Sequence, residues 1–210
     1  KEPVFHHLAR TVEAIKPELH LRWAALLHDL GKGKTAALKE GHLTFHGHEK
    51  VGLEEGRALL SRLRFPKGEI ERIGILIRYH MFSMDITQSD EALRRLIRRV
   101  GQENIMDLLE LRRADIIATS PDFHRAYKPL EDFAKGINDL LKEDNAFSLG
   151  DLAITGKDIM ETFNLPEGPH IGKGLEAALN RVLEKPQENK REDLLEFLSQ
   201  YYKKKGLIKD

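Results

Sequence analysis

The chain has 210 residues, with 34 Lys and Arg, 34 Asp and Glu, 10 His and no Cys. A hydrophobic fraction of 40% is sufficient for a buried core and argues against disorder. The lack of cysteine excludes disulfide scaffolds, thiolate metal sites and cysteine nucleophiles, and it favours a reducing compartment, the cytoplasm. The zero net charge excludes a globally basic nucleic-acid binder.

Hydrophobic residues recur at helical spacing along most of the first 143 residues. Helices are predicted over residues 4–15, 19–30, 48–62, 68–80, 89–100, 102–118 and 129–143, and a loop is predicted over 31–47. Few stretches alternate as strands do, so an all-α helical bundle is predicted. No apolar run approaches the roughly 20 residues of a membrane helix, and the N-terminus has no signal-peptide core, so no membrane partner is expected.

The composition changes near residues 143–150, which predicts a domain over 1–145 and a small helical appendage over 146–210. In the second part, Thr155 and Asp158 have the spacing of a capping box that opens a short helix. Further helices are predicted near 172–184 and 190–202, separated by Pro186.

A His-Asp doublet, His28-Asp29, ends the apolar second helix. Imidazole and carboxylate together suit Mg, Mn, Fe, Co, Ni or Zn, but two ligands do not complete a site. A single His on a helix is more often structural, and Asp115 beside an apolar run has Arg112 and Arg113 as alternative partners. The conjunction is more specific: further ligand candidates from separate helices are His7, His48, His80 and Asp115.

In this order of residues the chain resembles the HD superfamily of metal-dependent phosphohydrolases, whose pattern is H…HD…H…H…D on a helical bundle. The resemblance implies a divalent metal held mainly by His7, His28, Asp29 and Asp115, and a second metal or the phosphate at His48 and His80. It also implies hydrolysis of a phosphate ester or nucleotide by metal-activated water, with His28 and Asp29 as catalytic residues.

Several neighbouring residues have a weaker claim. His6 competes with His7, while His42 and His46 lie in the predicted loop. Lys32 and Lys34 are as readily solvated loop lysines as phosphate contacts; of the two, we predict that Lys32 is catalytic.

A narrower resemblance covers nearly the whole chain. Residues 24–32 (AALLHDLGK), 45–52 (FHGHEKVG) and 62–66 (RLRFP) resemble the HD portion of bacterial tRNA nucleotidyltransferases and poly(A) polymerases. Residues 152–158, 168–172 and 188–195 are similar to the helical RNA-binding end of those enzymes. The Gly-rich strand and Asp-x-Asp pair of the family's nucleotide-adding head are missing, so we expect a C-terminal fragment that works with a nucleotidyltransferase domain.

The resemblance implies tRNA or another RNA 3′ end as a partner. Gly172 and Lys173 open a predicted helix whose free N–H groups attract phosphate, and Lys190 and Arg191 add positive charge. Residues 146–210 nevertheless contain 10 basic and 11 acidic residues, so RNA binding by this part alone should be weak and salt-sensitive. A denser basic stripe, facing RNA or the missing domain, is formed by Arg94, Arg95, Arg98 and Arg99.

Three interpretations therefore remain open from the sequence. The chain is a metal phosphohydrolase domain of a tRNA-maturing enzyme, a non-catalytic HD-fold scaffold that binds tRNA, or a free-standing nucleotidase.

Overall fold

A computed structural model describes residues 4–84, 89–120, 122–143 and 147–208, with the backbone alone at 123–125. In this part of the chain the fold is a helical bundle with one small hairpin, which confirms the predicted all-α class. The helices are α1 (Val4–Ala14), α2 (Leu19–Leu27), α3 (Lys32–Thr35), α4 (His48–Arg62), α5 (Lys67–Tyr79), α6 (Asp90–Val100), α7 (Ile105–Thr119), α8 (Phe123–Lys142), α9 (Gly156–Phe163), α10 (Pro169–Glu184) and α11 (Arg191–Lys204). Short 3₁₀ turns occur at Leu149–Asp151 and Pro186–Glu188.

The predicted loop over 31–47 is wrong in part, because it contains the short helix α3 and an antiparallel hairpin. Strands β1 (Ala37–Lys39) and β2 (His42–Thr44) pair with Leu38 opposite Leu43. The connecting Glu40 and Gly41 both have positive φ, 50° and 77°, as a two-residue type I′ turn requires. Glu-Gly is a weaker turn signal than Asn-Gly, and each strand has only three residues and is largely exposed, so the hydrophobic pattern of this segment is too short to indicate a strand.

Several helix bounds also differ from prediction: α2 ends at Leu27 rather than 30, and α7 begins at Ile105 rather than 102. Helix α8 begins at Phe123 and contains Pro129, whereas Pro129 suggested a helix beginning nearby. Helix α10 begins at Pro169 rather than 172, with proline in the first turn, where its missing N–H costs nothing. The predicted capping box is confirmed: Thr155 Oγ1 accepts from Asp158 N, and Thr155 N donates to Asp158 Oδ2 at 2.8 Å.

The chain divides into two compact units. The first contains residues 1–87 and 100–135, and the second contains 88–99 and 136–210. This division differs from the boundary predicted at residue 145, because α6 and the end of α8 group with the C-terminal helices. Arg95 of α6 donates to Glu184 of α10 at 2.7 Å, and such a contact between residues 89 positions apart has no local sequence signal.

In the first unit, α2 packs against α1, α5 and α7, and α4 packs along α5. The Leu- and Ala-rich sequence of α2 favours helix and fills the centre of the unit, where Leu21, Ala24 and Ala25 are buried. Beyond the end of α2, Gly31 lies against the first turn of α4; a Cβ there would be 2.7 Å from Gly52 N. This close approach brings the end of α2 to the start of α4.

The second unit has its own core between α9, α10 and α11. Ile159, Leu179, Leu194 and Tyr202 are buried there. Tyr202 also donates a hydrogen bond through its hydroxyl to His170 O at 3.1 Å. Among the described residues, no helix combines the length and apolar composition needed to span a bilayer.

Candidate metal centre

Six predicted ligands, located in or directly after five helices, meet at one place in the first unit. Asp29 lies at the centre of this cluster and is 2% exposed. Its Oδ2 is 3.4 Å from His7 Nε2 and 3.5 Å from His28 Nε2, and its Oδ1 is 3.3 Å from His48 Nε2 and 3.6 Å from His80 Nε2. The two oxygens of one carboxylate therefore face two different pairs of imidazoles. We call the six residues the His/Asp cluster: His7, His28, Asp29, His48, His80 and Asp115.

Asp115 completes the cluster from α7. Its Oδ1 lies 3.3 Å from His7 Nε2 and 3.9 Å from His28 Nε2. Two groups of three residues could each hold a metal ion, since within each group one nitrogen or oxygen atom per residue lies within 4.8 Å of the others. One group is His7, His28 and Asp115, and the other is His28, Asp29 and His80. These positions depend on packing between helices, since Asp115 is far from the other ligands in sequence.

Backbone carbonyls orient three of the imidazoles. His28 Nδ1 donates to Ala25 O, and His80 Nδ1 donates to Ile77 O, each at 2.8 Å. These carbonyls lie in the last turns of α2 and α5, where the helix provides them with no N–H partner. His48 Nδ1 donates in the same way to the carbonyl before α4, that of Phe45. A carbonyl can only accept, so Nδ1 holds the hydrogen and the lone pair of each neutral imidazole is on Nε2.

The ligand atoms of the cluster crowd one another. His7 Nε2 is 3.2 Å from His28 Nε2, and His48 Nε2 is 3.2 Å from His80 Nε2. Facing lone pairs repel unless a proton or a cation lies between them. With four imidazoles, two carboxylates and no thiolate, the donor set fits a divalent metal that accepts nitrogen and oxygen ligands.

The electrostatics of the cluster favour the metal-binding protonation states. Burial lowers the pKa of His28 to about 4 despite the nearby carboxylates, so its imidazole is neutral at pH 7. Burial by itself would raise the pKa of Asp29, but contacts with His80 and the Lys32 ammonium group outweigh it and hold the pKa below its usual range. Burial likewise opposes ionisation of Asp115, yet hydrogen bonding with His7 and the charge of Arg112 lower its pKa to about 2.

Further residues hold the side chains of the His/Asp cluster in place. Arg112 Nη1 donates to Asp115 Oδ2 at 2.7 Å, which leaves Oδ1 directed toward the imidazoles. Of the two arginines considered from the sequence, Arg113 instead donates to Glu110 and to Ala14 O. Sequence reasoning missed Thr119, whose Oγ1 lies 3.4 Å from Asp115 Oδ1. Its position one turn after Asp115 on the same helix was the available signal.

Of the lysines and remaining histidines considered from the sequence, only Lys32 contacts the His/Asp cluster. Lys32 Nζ donates to Asp29 Oδ2, whereas Lys34 pairs with Glu55 and is exposed. His6, next to His7, is exposed and outside the cluster, as are His42 and His46.

The predicted RNA-binding residues lie in the second unit. Gly172 and Lys173 are exposed, but they are the fourth and fifth residues of α10 and do not open it as predicted, because the helix begins at Pro169. Lys190 is exposed immediately before α11. Arg191 is also exposed but donates to Asp158 at 3.1 Å.

Much of the basic stripe on α6 is likewise compensated by acidic groups within the second unit. Arg95 pairs with Glu184, and Arg98 pairs with Glu176. Arg94 lies 3.7 Å from Asp90, while Arg99 is exposed.

Comparison with known proteins finds a matching family model and several similar curated proteins. The family model described as HD domain matches residues 4–120. The CC-adding tRNA nucleotidyltransferase of Thermus thermophilus is 33% identical over 192 residues, which cover 85% of this chain and 42% of the relative. The A-adding tRNA nucleotidyltransferase of Deinococcus radiodurans is 34% identical over 190 residues, covering 82% of this chain and 42% of the relative.

A shorter match is found to the multifunctional CCA protein of Neisseria meningitidis, 41% identical over 68 residues, 32% of this chain and 16% of the relative. The chain thus spans less than half the length of these curated relatives.

Proposed function

We propose, for a chain that belongs to the HD domain family, that the His/Asp cluster binds a divalent metal and hydrolyses phosphate esters or cyclic nucleotides. One observation carries this proposal. The Nε2 atoms of four histidines converge on the carboxylates of Asp29 and Asp115 within 3.3–3.9 Å. Imidazole lone pairs that face one another at 3.2 Å repel unless a cation lies between them, so the arrangement favours a metal site over a purely structural cluster.

The roles follow from the contacts. We propose that His7, His28, Asp29 and Asp115 hold the main ion, and that His48 and His80, on the other oxygen of Asp29, hold a second ion or the phosphate. A bound divalent ion supplies a lower pKa for an attacking water and positive charge beside the phosphoryl group.

The residues around the ion keep these ligands ready. The carbonyls of Ala25 and Ile77 keep the Nδ1 protons of His28 and His80, so that each Nε2 stays a ligand. Lys32 provides a positive charge beside Asp29 and is proposed to act with His28 and Asp29 in catalysis.

Replacement of the central carboxylate tests the proposal. The wild-type chain should bind Mn²⁺ in a calorimetric titration and hydrolyse p-nitrophenyl phosphate or 2′,3′-cyclic AMP. Asp29→Asn should lose both properties, because it removes the charge of the carboxylate that faces both pairs of imidazoles. Asp132→Asn, on the exposed face of α8 and paired with Lys128, is the matched control and should retain both. Full Mn²⁺ affinity and turnover in Asp29→Asn would show that the site is assigned wrongly.

A second candidate function is that of a tRNA-binding module without turnover. It is favoured by the extent of the similarity to tRNA nucleotidyltransferases, which covers 85% of the chain and so continues past the HD match into the second unit. In this case tRNA should bind with strong salt dependence, and no hydrolysis should be measurable with Mn, Ni, Co or Mg. Lys173→Glu should weaken the binding of tRNA. In either case we propose a nucleotidyltransferase domain as the working partner of this chain.

A further inference from the structure

A cleft opens beside the His/Asp cluster in the first unit. Its volume is about 340 Å³, within the range of small-molecule sites. The lining comes from α1, α3 and α7: His7, Arg10, Lys32, Asp115, Ala118 and Thr119. Because His7 and Asp115 are ligands of the cluster, a molecule in this cleft lies directly against the metal centre.

The charges of the cleft favour an anion. Arg10 contributes a cationic group from α1, and Lys32, whose ammonium group also donates to Asp29 Oδ2, contributes a second one from α3. The single carboxylate in the lining, Asp115, already accepts a hydrogen bond from Arg112 on its Oδ2. Small side chains at Ala118 and Thr119 leave room for a phosphate-sized group between these charges.

Arg10 is placed by both sequence and packing. It follows His7 by three residues on α1, so the two side chains share one face of the helix. Its Nε donates to Ala118 O at 3.1 Å, in the last turn of α7, which fixes the guanidinium at the cleft. A guanidinium has five N–H donors in a planar fork that matches the geometry of phosphate oxygens.

From this geometry we propose that Arg10 binds the phosphate group of the substrate in the cleft and positions it against the His/Asp cluster. The inference rests on the proposed phosphohydrolase function and adds a specificity-determining residue to it. Arg10 contacts the non-reacting phosphate oxygens, while Lys32 provides the second positive charge. The substrate class is accordingly a phosphate ester whose phosphate group reaches the ligands, and a cleft of about 340 Å³ has room for part of the group that carries that phosphate.

Binding of inorganic phosphate, the reaction product, tests this proposal without turnover. The full chain is loaded with Mn²⁺, freed of excess metal and titrated with phosphate in a calorimeter. Arg10→Met should weaken phosphate binding by roughly 10–100-fold, the effect of losing hydrogen bonds to a charged group, with an unchanged Mn²⁺ affinity. Arg10→Lys keeps the charge without the fork and should recover part of the affinity. Arg22→Met, an exposed position on α2 outside the cleft, is the matched control.

Each outcome has a separate meaning. Loss of phosphate affinity in Arg10→Met, with Mn²⁺ binding retained and partial recovery in Arg10→Lys, supports the proposal. Unchanged phosphate affinity in Arg10→Met overturns the role of Arg10 and leaves the proposed function standing. Loss of Mn²⁺ binding in both Arg10 variants also overturns it, because Arg10 would then support only the packing of α1 on α7. Failure of the Mn²⁺-loaded wild-type chain to bind phosphate counts against the phosphohydrolase function itself.

Discussion

Gly31 is where the end of α2 meets the start of α4, and replacing it should disturb both stability and metal binding. A Cβ at this position would overlap the carbonyl oxygen of His48 and lie 2.7 Å from Gly52 N and 3.0 Å from His48 C. All three are backbone atoms of α4, so no side chain can rotate away to relieve the overlap. Gly31→Ala must therefore move one helix end relative to the other.

The magnitude follows from the two nearby glycines. Overpacking of this kind costs about 1–3 kcal/mol of unfolding free energy. Gly33, in the short helix α3, has no atom within 4 Å of a built Cβ, so Gly33→Ala should be neutral or stabilising by about 0.4–1 kcal/mol. At roughly 2–4 °C per kcal/mol for a chain of this size, Gly31→Ala should melt at least several degrees below Gly33→Ala.

Thermal unfolding by circular dichroism and Mn²⁺ titration of the two variants provide the measurement. Gly31→Ala should also bind Mn²⁺ more weakly, because a shift of α4 moves His48 Nε2 away from Asp29 Oδ1, now at 3.3 Å. Equal melting temperatures for Gly31→Ala and Gly33→Ala would refute the close approach of α2 and α4. A lower melting temperature with unchanged Mn²⁺ affinity would keep the packing but remove His48 from the metal site.

Three further predictions concern other parts of the chain. Arg112→Met removes the partner of Asp115 Oδ2 and should reduce Mn²⁺ affinity roughly 10–100-fold in calorimetry; an unchanged affinity would mean that Asp115 needs no orienting group. Burial lowers the pKa of His28 from 6.5 to about 4, so between these pH values the unfolded state binds more protons and the metal-free chain should lose up to about 3 kcal/mol of stability as the pH falls. Urea unfolding from pH 4 to 7 should show that slope, and His28→Gln should flatten it; the same slope in the variant would assign it to other groups. Thr155→Ala removes the cap that bonds Asp158 N and should destabilise the second unit by about 1 kcal/mol, whereas Thr155→Ser should not, as measured by urea unfolding.

Local patterns in the sequence determined most of the helices and the chemical type of the site. Hydrophobic spacing placed α1, α4 and α5 close to their observed bounds. The Thr155–Asp158 capping box was predictable because its two residues interact within one helical turn. With no cysteine in the chain, only imidazole and carboxylate remained as the expected metal ligands.

Other features depended on contacts without a local signal. The hairpin was missed because Glu40 and Gly41 form its turn in an otherwise exposed segment. The grouping of α6 with the C-terminal helices depends on ion pairs such as Arg95 with Glu184, between residues far apart in sequence.

In the His/Asp cluster, the sequence offered neighbouring candidate residues, and the tertiary structure decided which of them faces the site. His6 and His7 are chemically identical neighbours, but they point about 100° apart on α1, and only packing against α2 and α7 decides that His7 faces Asp29. Arg112 rather than Arg113 meets Asp115 for the same reason. The sequence determined the candidate ligands and the helices near which they lie. The packing of five helices determined which of two neighbouring side chains faces the cluster, because the direction of a side chain around its helix matters only relative to the helices packed against it.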